Sequence, residues 1–405
     1  MNYLMYDKSH KRMFLVGCAT RKTMDISRFK SGTYLKRNRY KAFIPSEINH
    51  EWTWTDARIN TLLEEATKSL SELNAYSRIV PDIDRYLRLH VIKEASESSR
   101  IEGTQTKIDE AIRPVEEIKP ERRDDWQEVQ NYILAMNEAI SALRHLPLSS
   151  RLLRNTHRTL LQSVRGANKQ PGEWRRSQNW IGGASLRDAV FIPPPHLQIP
   201  ELISDLEHFW HNDTIDVPHL IRIAISHYQF ETIHPFLDGN GRIGRLMITL
   251  YLISNGLLTT PSLYLSSYFE QHRAAYFEAF SVVRGSDDLG HWLRFFLLAV
   301  RETARTGVRT FQKILHLRDD IENRILSLDQ RAGNAQSLLS HLYHQPVTSV
   351  NEVASFLEVS HQTANRLVRD LVQLGILREG TGFQRNRRFE FHEYLRLFGS
   401  DQGPK

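Results

Sequence analysis

His234, Asp238, Arg242 and Arg245 fall within one string, HPFLDGNGRIGR, at residues 234–245. Together they supply what is needed to move a phosphate-bearing group. His234 can be neutral near pH 7 and take a proton from an attacking hydroxyl. Asp238 is a hard oxygen donor of the kind Mg2+ uses when it is held by one carboxylate and by substrate phosphates. Gly239, Asn240 and Gly241 permit positive φ, so their amides can turn toward one point at the positive end of a following helix, where an anion belongs. Arg242 and Arg245 are three apart, which puts both guanidiniums on one helix face, able to fork onto phosphate oxygens. Phe236 reads as an anchor for the loop.

Such a loop needs rigid elements on both sides. Residues 216–233 read as a helix, with Asp216 as a cap, Pro218 in the first turn and Leu220, Ile223, Ala224 and His227 as an apolar stripe. After the loop, Ile243, Leu246, Met247, Leu250 and Tyr251 recur at helical spacing until Asn255 and Gly256 end the pattern. Upstream, residues 81–99 carry Ile83, Tyr86, Leu87 and His90 at the same spacing, and Gly103 is a stop that leaves Glu102 at a helix end. Residues 178–181 and 189–192 look like short strands around the Gly182-Gly183 turn, the second ended by Pro193, Pro194 and Pro195.

The string 234–245 resembles, at every position, the signature HPFxDGNGRxxR of the Fic family, whose members mostly transfer AMP from ATP to a Ser, Thr or Tyr hydroxyl of another protein. The resemblance implies that His234 deprotonates the target hydroxyl and that Asp238 holds Mg2+ between the α- and β-phosphates. It also implies that Gly239, Asn240, Gly241 and Arg242 cradle the phosphates while Arg245 meets the γ-phosphate. A second stretch, Ser98, Ser99, Arg100, Ile101, Glu102 and Gly103, resembles the family's inhibitory pattern of Ser or Thr, three residues, then Glu and Gly or Asn. On that resemblance Glu102 pairs with Arg245 in the place of the γ-phosphate, and ATP binds in a pose unsuited to attack. Residues 165–195 resemble the family's flap, an edge that pairs with an extended target segment through main-chain hydrogen bonds. Residues 28–49, 261–277 and 292–300 also resemble Fic proteins of the longer, free-standing kind, with Tyr264 or Tyr268 either beside the adenine or in the core.

The chain has 405 residues, 40% hydrophobic and 25% charged, enough for a large core and more than one domain. Its single cysteine, Cys18, excludes an internal disulfide framework and a zinc cluster built on several thiolates. No apolar stretch approaches the ~20 residues of a membrane helix. The formal charge of +6 is permissive of nucleotide or nucleic-acid partners without pointing to either. Lys8, Lys11 and Arg12 before Met13–Cys18 imitate a lipoprotein signal, but the apolar run is shorter than the ~7 to 15 residues of an export signal, so a cytoplasmic location is expected. The basic cluster Lys36, Arg37, Arg39 and Lys41 reads as a solvated face.

Apolar stripes at residues 54–76, 126–143, 152–161, 202–210, 268–283 and 292–310 predict a mostly α protein, a Fic-type helical bundle with a β-hairpin flap. Beyond a helical connector near 318–329, residues 350–357 and 361–374 read as two helices and 376–379 and 388–391 as two strands, which together resemble a winged helix-turn-helix. Gln362, Asn365 and Arg366 with Arg369 would project from its recognition helix and Arg385, Arg387 and Arg388 from its wing, so DNA is one partner this unit could take and another protein is the other. The expected domains are a poorly ordered N-terminal extension (1–27), a Fic-associated region with the inhibitory helix (28–115), the catalytic core (116–310), a helical connector (311–345), the winged helix (346–395) and a tail (396–405). The reading is an autoinhibited protein adenylyltransferase using ATP and Mg2+ on a hydroxyl-bearing protein target, itself included, with a homodimer compatible and no membrane involvement. Removal of AMP, transfer of UMP, or a DNA-binding regulator whose core senses nucleotide are the alternatives.

Overall fold

The computed structural model describes residues 3–7, 12–16, 23–80, 82–162, 167–380 and 387–399. Cys18 and Arg385 lie outside the described residues, as do Lys8 and Lys11. Most of the described residues are helical. Its few strands sit at the two ends of the sequence: β1 (Tyr3–Asp7) pairs antiparallel with β2 (Arg12–Val16), β3 (Thr23–Asp25) parallel with β6 (Glu51–Thr53), and β4 (Gly32–Lys36) antiparallel with β5 (Lys41–Pro45).

The helices that follow are α1 (Ala57–Ile79), α2 (Ile83–Ile101), α3 (Ile108–Ala111), α4 (Arg123–Ala142), α5 (Ser150–Leu160), α6 (Ile199–His211), α7 (His219–Ile233), α8 (Asn240–Ser254), α9 (Ser266–Gln271), α10 (Arg273–Ser286), α11 (Leu289–Leu326) and α12 (Ala332–His344). The last part holds β7 (Val347–Thr348), α13 (Val350–Leu357), α14 (His361–Gln373), β8 (Arg378–Glu379), β9 (Phe389–Glu390) and α15 (His392–Arg396), with the strands in the order β7-β9-β8.

At the centre lie α7 and α8. Every residue from Leu220 to Ile233 and from Asn240 to Leu252 is buried, so both helices are enclosed on all sides. His227 ties them together. Burial pushes its imidazole down to about 3, so the ring is neutral. Its Nδ1–H donates to the Gly244 carbonyl at 3.0 Å, which leaves Nε2 to accept the Tyr276 hydroxyl of α10 at 2.8 Å. Trp292 of α11 donates to the Ala224 carbonyl at 2.8 Å from the other side.

Three expectations change. The helix before the loop starts at His219 with Pro218 at its cap position, not at Asp216, because Pro218 offers no N–H and its φ of −54° is already set for entry. Residues 268–283 are two helices, broken at His272. The core does not end at residue 310: α11 runs unbroken for 38 residues through the expected boundary, since Val308, Phe311, Ile314, Ile321 and Ile325 keep the buried stripe going.

Candidate active site

His234 closes α7 in the left-handed region (φ 49°, ψ 61°), its N–H donating to the Phe230 carbonyl at 2.9 Å. The turn it begins is braced from within by Asn240. That amide accepts the Phe236 N–H at 2.8 Å and donates to the Phe236 carbonyl at 2.9 Å, so the Asn240 side chain is engaged in the turn itself. Gly239 caps α8 at φ 75°, where a side chain would be strained, and a Cβ there would stand 3.3 Å from Leu160 and 3.5 Å from His157.

The loop is also braced from outside, by residues that no periodicity singles out. Arg175, 2% exposed, donates to the carbonyls of His234 at 2.9 Å, Ser177 at 3.0 Å and Pro194 at 2.5 Å. Burial holds its pKa down to about 10, still charged at neutral pH. Asn179 donates to the Phe236 carbonyl at 2.9 Å. The His157 ring stacks on Phe236 with centroids 3.7 Å apart; its Nδ1 accepts the Gly172 N–H at 2.8 Å, so Nε2 carries the proton and donates to the Asp238 carbonyl at 3.0 Å. Burial keeps that ring neutral, with a pKa pushed down to about 4.

The imidazole of His234 is held down to about 4, first by burial and then by Arg175, against the opposing pull of Glu102. It is therefore a free base at pH 7. Its Nδ1 is buried without a hydrogen bond, although the Glu231 carbonyl acts on the ring from outside hydrogen-bond geometry.

Asp238 keeps 46% of its side chain exposed at the head of α8, with Oδ1 accepting the Gly239 N–H at 2.6 Å and lying 3.6 Å from Arg242. Arg242, 5% exposed, also reaches Glu128 of α4 at 3.2 Å. Arg245, 1% exposed, donates to the Ser98 hydroxyl and the Ser98 carbonyl, each at 2.9 Å, and to Glu102 at 2.7 Å. Burial works to raise the Glu102 carboxyl, but Arg245 and then Arg242 outweigh it and hold the group below the usual carboxylate range. Glu102 is still 39% exposed, so the pair lies at the mouth of the site. Its Oε1 would stand 2.1 Å from a Cβ on Gly241, so the carboxylate occupies the space above the bare first turn of α8. Gly103 ends α2 at φ 108°.

Beneath the site lies Glu231, one turn before His234. Burial pushes its carboxyl up to about 7, against Arg245, and Oε1 has no partner. Tyr264 is buried away from the loop with its hydroxyl unpartnered, and Tyr268 stacks on His272. Among the described residues no group of three His, Cys, Asp or Glu could hold a metal by itself.

The two expected flap strands do not form. Residues 178–192 make one isolated bridge, Ile181 to Phe191, with Ile181 donating to Phe191 at 2.8 Å. Gln178 donates instead to the Asn179 and Pro193 carbonyls, Asn179 serves the loop, and the three prolines have no N–H to extend the ladder. Phe43 of β5 donates to Ile192 at 2.9 Å, so one edge of the segment is covered. Val190 is 80% exposed.

Residues 60–141 match the Fic/DOC family N-terminal domain and residues 147–252 the Fic/DOC family domain. Over 106 residues the chain is 39% identical to an Aquifex aeolicus protein named "Probable protein adenylyltransferase", covering 26% of this chain and 31% of that one. Over 237 residues it is 25% identical to the Drosophila erecta protein named "Protein adenylyltransferase Fic", covering 58% and 43%. The crystal structure of a Fic family protein from Desulfovibrio desulfuricans G20 has the same fold, with a TM-score of 0.54 at 21% identity, covering 87% of this chain and 98% of that one. The chain spans less than half the length of these two curated relatives. The matched segments, which hold both Glu102 and the loop 234–245, are similar to the two domains of the Fic/DOC family.

Proposed function

We propose that this chain transfers AMP from ATP to a hydroxyl side chain of a protein, and that the conformation described is the restrained one. The observation that carries the reading is the neutral His234 imidazole beside the glycine-rich head of α8. Arg242 and Arg245 stand within that helix's first two turns. An anion between them meets backbone amides, the helix dipole and two guanidiniums. In the transfer, the target oxygen bonds to the α-phosphorus, the bond from that phosphorus to the β-bridging oxygen breaks, pyrophosphate leaves and the proton passes to His234. The relatives named adenylyltransferases support AMP as the group moved.

Mg2+ fits here as an ion held by Asp238 and by nucleotide phosphates, because Asp238 is half exposed and no protein-only cage exists among the described residues. When bound it would offset charge on the phosphates. The fixing of the loop belongs to Arg175, Asn179 and His157. Ser98 and Glu102 take the Nε and Nη2 donors of Arg245, so Glu102 must leave before a γ-phosphate can take its place. The segment 178–192, with its outward Val190, suits an extended target docked by its main chain.

An ionic hydrogen bond contributes about 1.5–3 kcal/mol, and the exposure of Glu102 favours the lower end. Glu102→Gly should therefore raise labelling from α-labelled ATP by roughly 10-fold or more. His234→Ala in that background should abolish it, and retained labelling would overturn the assignment. Exposed Arg366 and Arg369 of α14 keep DNA in view as a partner of the C-terminal unit. Arg388, expected on the wing, faces inward to Glu117 and Glu352, and Arg387 lies over the Phe389 ring.

A further inference from the structure

The element that ends in Glu102 is gripped on both flanks by the last part of the chain. Before Glu102, the Tyr86 ring of α2 meets Tyr343 at 5.0 Å and Tyr394 at 6.4 Å, and His90 meets Phe398 edge-on at 4.8 Å. After Glu102, Arg113 pairs with Glu390 at 3.3 Å and Glu117 with Arg388 at 2.7 Å. Arg388 is itself fixed by Glu352 of α13 at 2.7 Å, so the pull on Glu117 comes from a rigid point. Behind α2, toward α11, a cavity of about 70 Å3 is lined by His90, Lys93, Ser262, Tyr264, Thr306 and Phe398. Nε2 of His90, Oγ of Ser262 and the Tyr264 hydroxyl are buried there without partners. Around His90 the helix borders this void, and one turn later Glu94 is held by the Ser266 N–H at 3.1 Å, so the first half of α2 leans on its contacts with Tyr343, Tyr394 and Phe398.

We propose that residues 332–399 act as a latch: their contacts with Tyr86, His90, Arg113 and Glu117 hold Glu102 against Arg245, and displacement of this unit releases it. The inference rests on the reading of Glu102 as the inhibitory group. Partly exposed ion pairs hold weakly when taken singly, so the aromatic contacts provide most of the grip and the ion pairs fix its register. A ligand of the C-terminal unit would thereby alter AMP transfer at a site it never touches.

The test uses the full chain with Phe398→Ala and Arg388→Gln combined. A second variant, Arg113→Gln with Glu117→Gln, leaves the C-terminal sequence intact in case the first misfolds. Labelling from α-labelled ATP should rise at least about fivefold, and either pair added to Glu102→Gly should give no further gain. Hydrogen–deuterium exchange of residues 83–107 should quicken in both. Unchanged exchange there in folded variants overturns the latch, as does a labelling gain that persists in full in the Glu102→Gly background. If Glu102→Gly itself gains nothing, the inhibitory reading fails, while the exchange measurement still decides whether the C-terminal unit restrains the helix.

Discussion

Gly244 lacks a side chain because Glu231 fills the space: a Cβ there would lie 2.2 Å from Glu231 Oε1 and 3.2 Å from Phe230. Its helical backbone is ordinary, so the cost of a substitution is one of packing. Gly244→Ala should destabilise the fold by about 1–3 kcal/mol, measured by urea unfolding, and a neutral or stabilising result would show that Glu231 can swing away. His234, Asp238, Arg242 and Arg245 were legible because their types and spacing have a chemical meaning of their own. Arg175, Asn179 and His157 were not: each acts on a carbonyl far along the chain, and a single carbonyl looks like any other in a sequence. Asn240 stood in the right string for another reason, since its side chain steadies the turn.

Among the elements, α7, α8 and α10 are joined through one neutral histidine. His227 has a folded pKa of about 3 against 6.5 when unfolded. The unfolded chain thus binds a proton that the native ring refuses, and the stability His227 contributes is full above pH 6.5 and lost as pH falls toward 3. The stability gap between the native chain and His227→Gln should therefore shrink by about 1.4 kcal/mol per pH unit below 6.5. A constant gap would mean that the ring is charged in the folded state. Helix positions followed from apolar spacing, as in α4 and α5, wherever one face is buried. The flap did not, because Gln178 and Asn179 have strand-like neighbours but direct their amides to Pro193 and to the loop. The inward turn of Arg388 was equally hidden, since Glu117 lies 271 residues away.

Across the whole molecule the apolar core is continuous from Ile26 to Phe398, with no break at any of the expected domain boundaries. Such a body should unfold as one unit. Calorimetry should give a single transition with calorimetric and van't Hoff enthalpies in agreement, whereas an early separate melting of the C-terminal part would contradict the continuity. The 38 residues of α11 extend for about 57 Å at the usual helical rise. Trp292 near one end of that spar is bonded to α7, and Arg324 near the other pairs with Glu393 at 3.2 Å, so a single beam touches both the buried centre and the C-terminal unit.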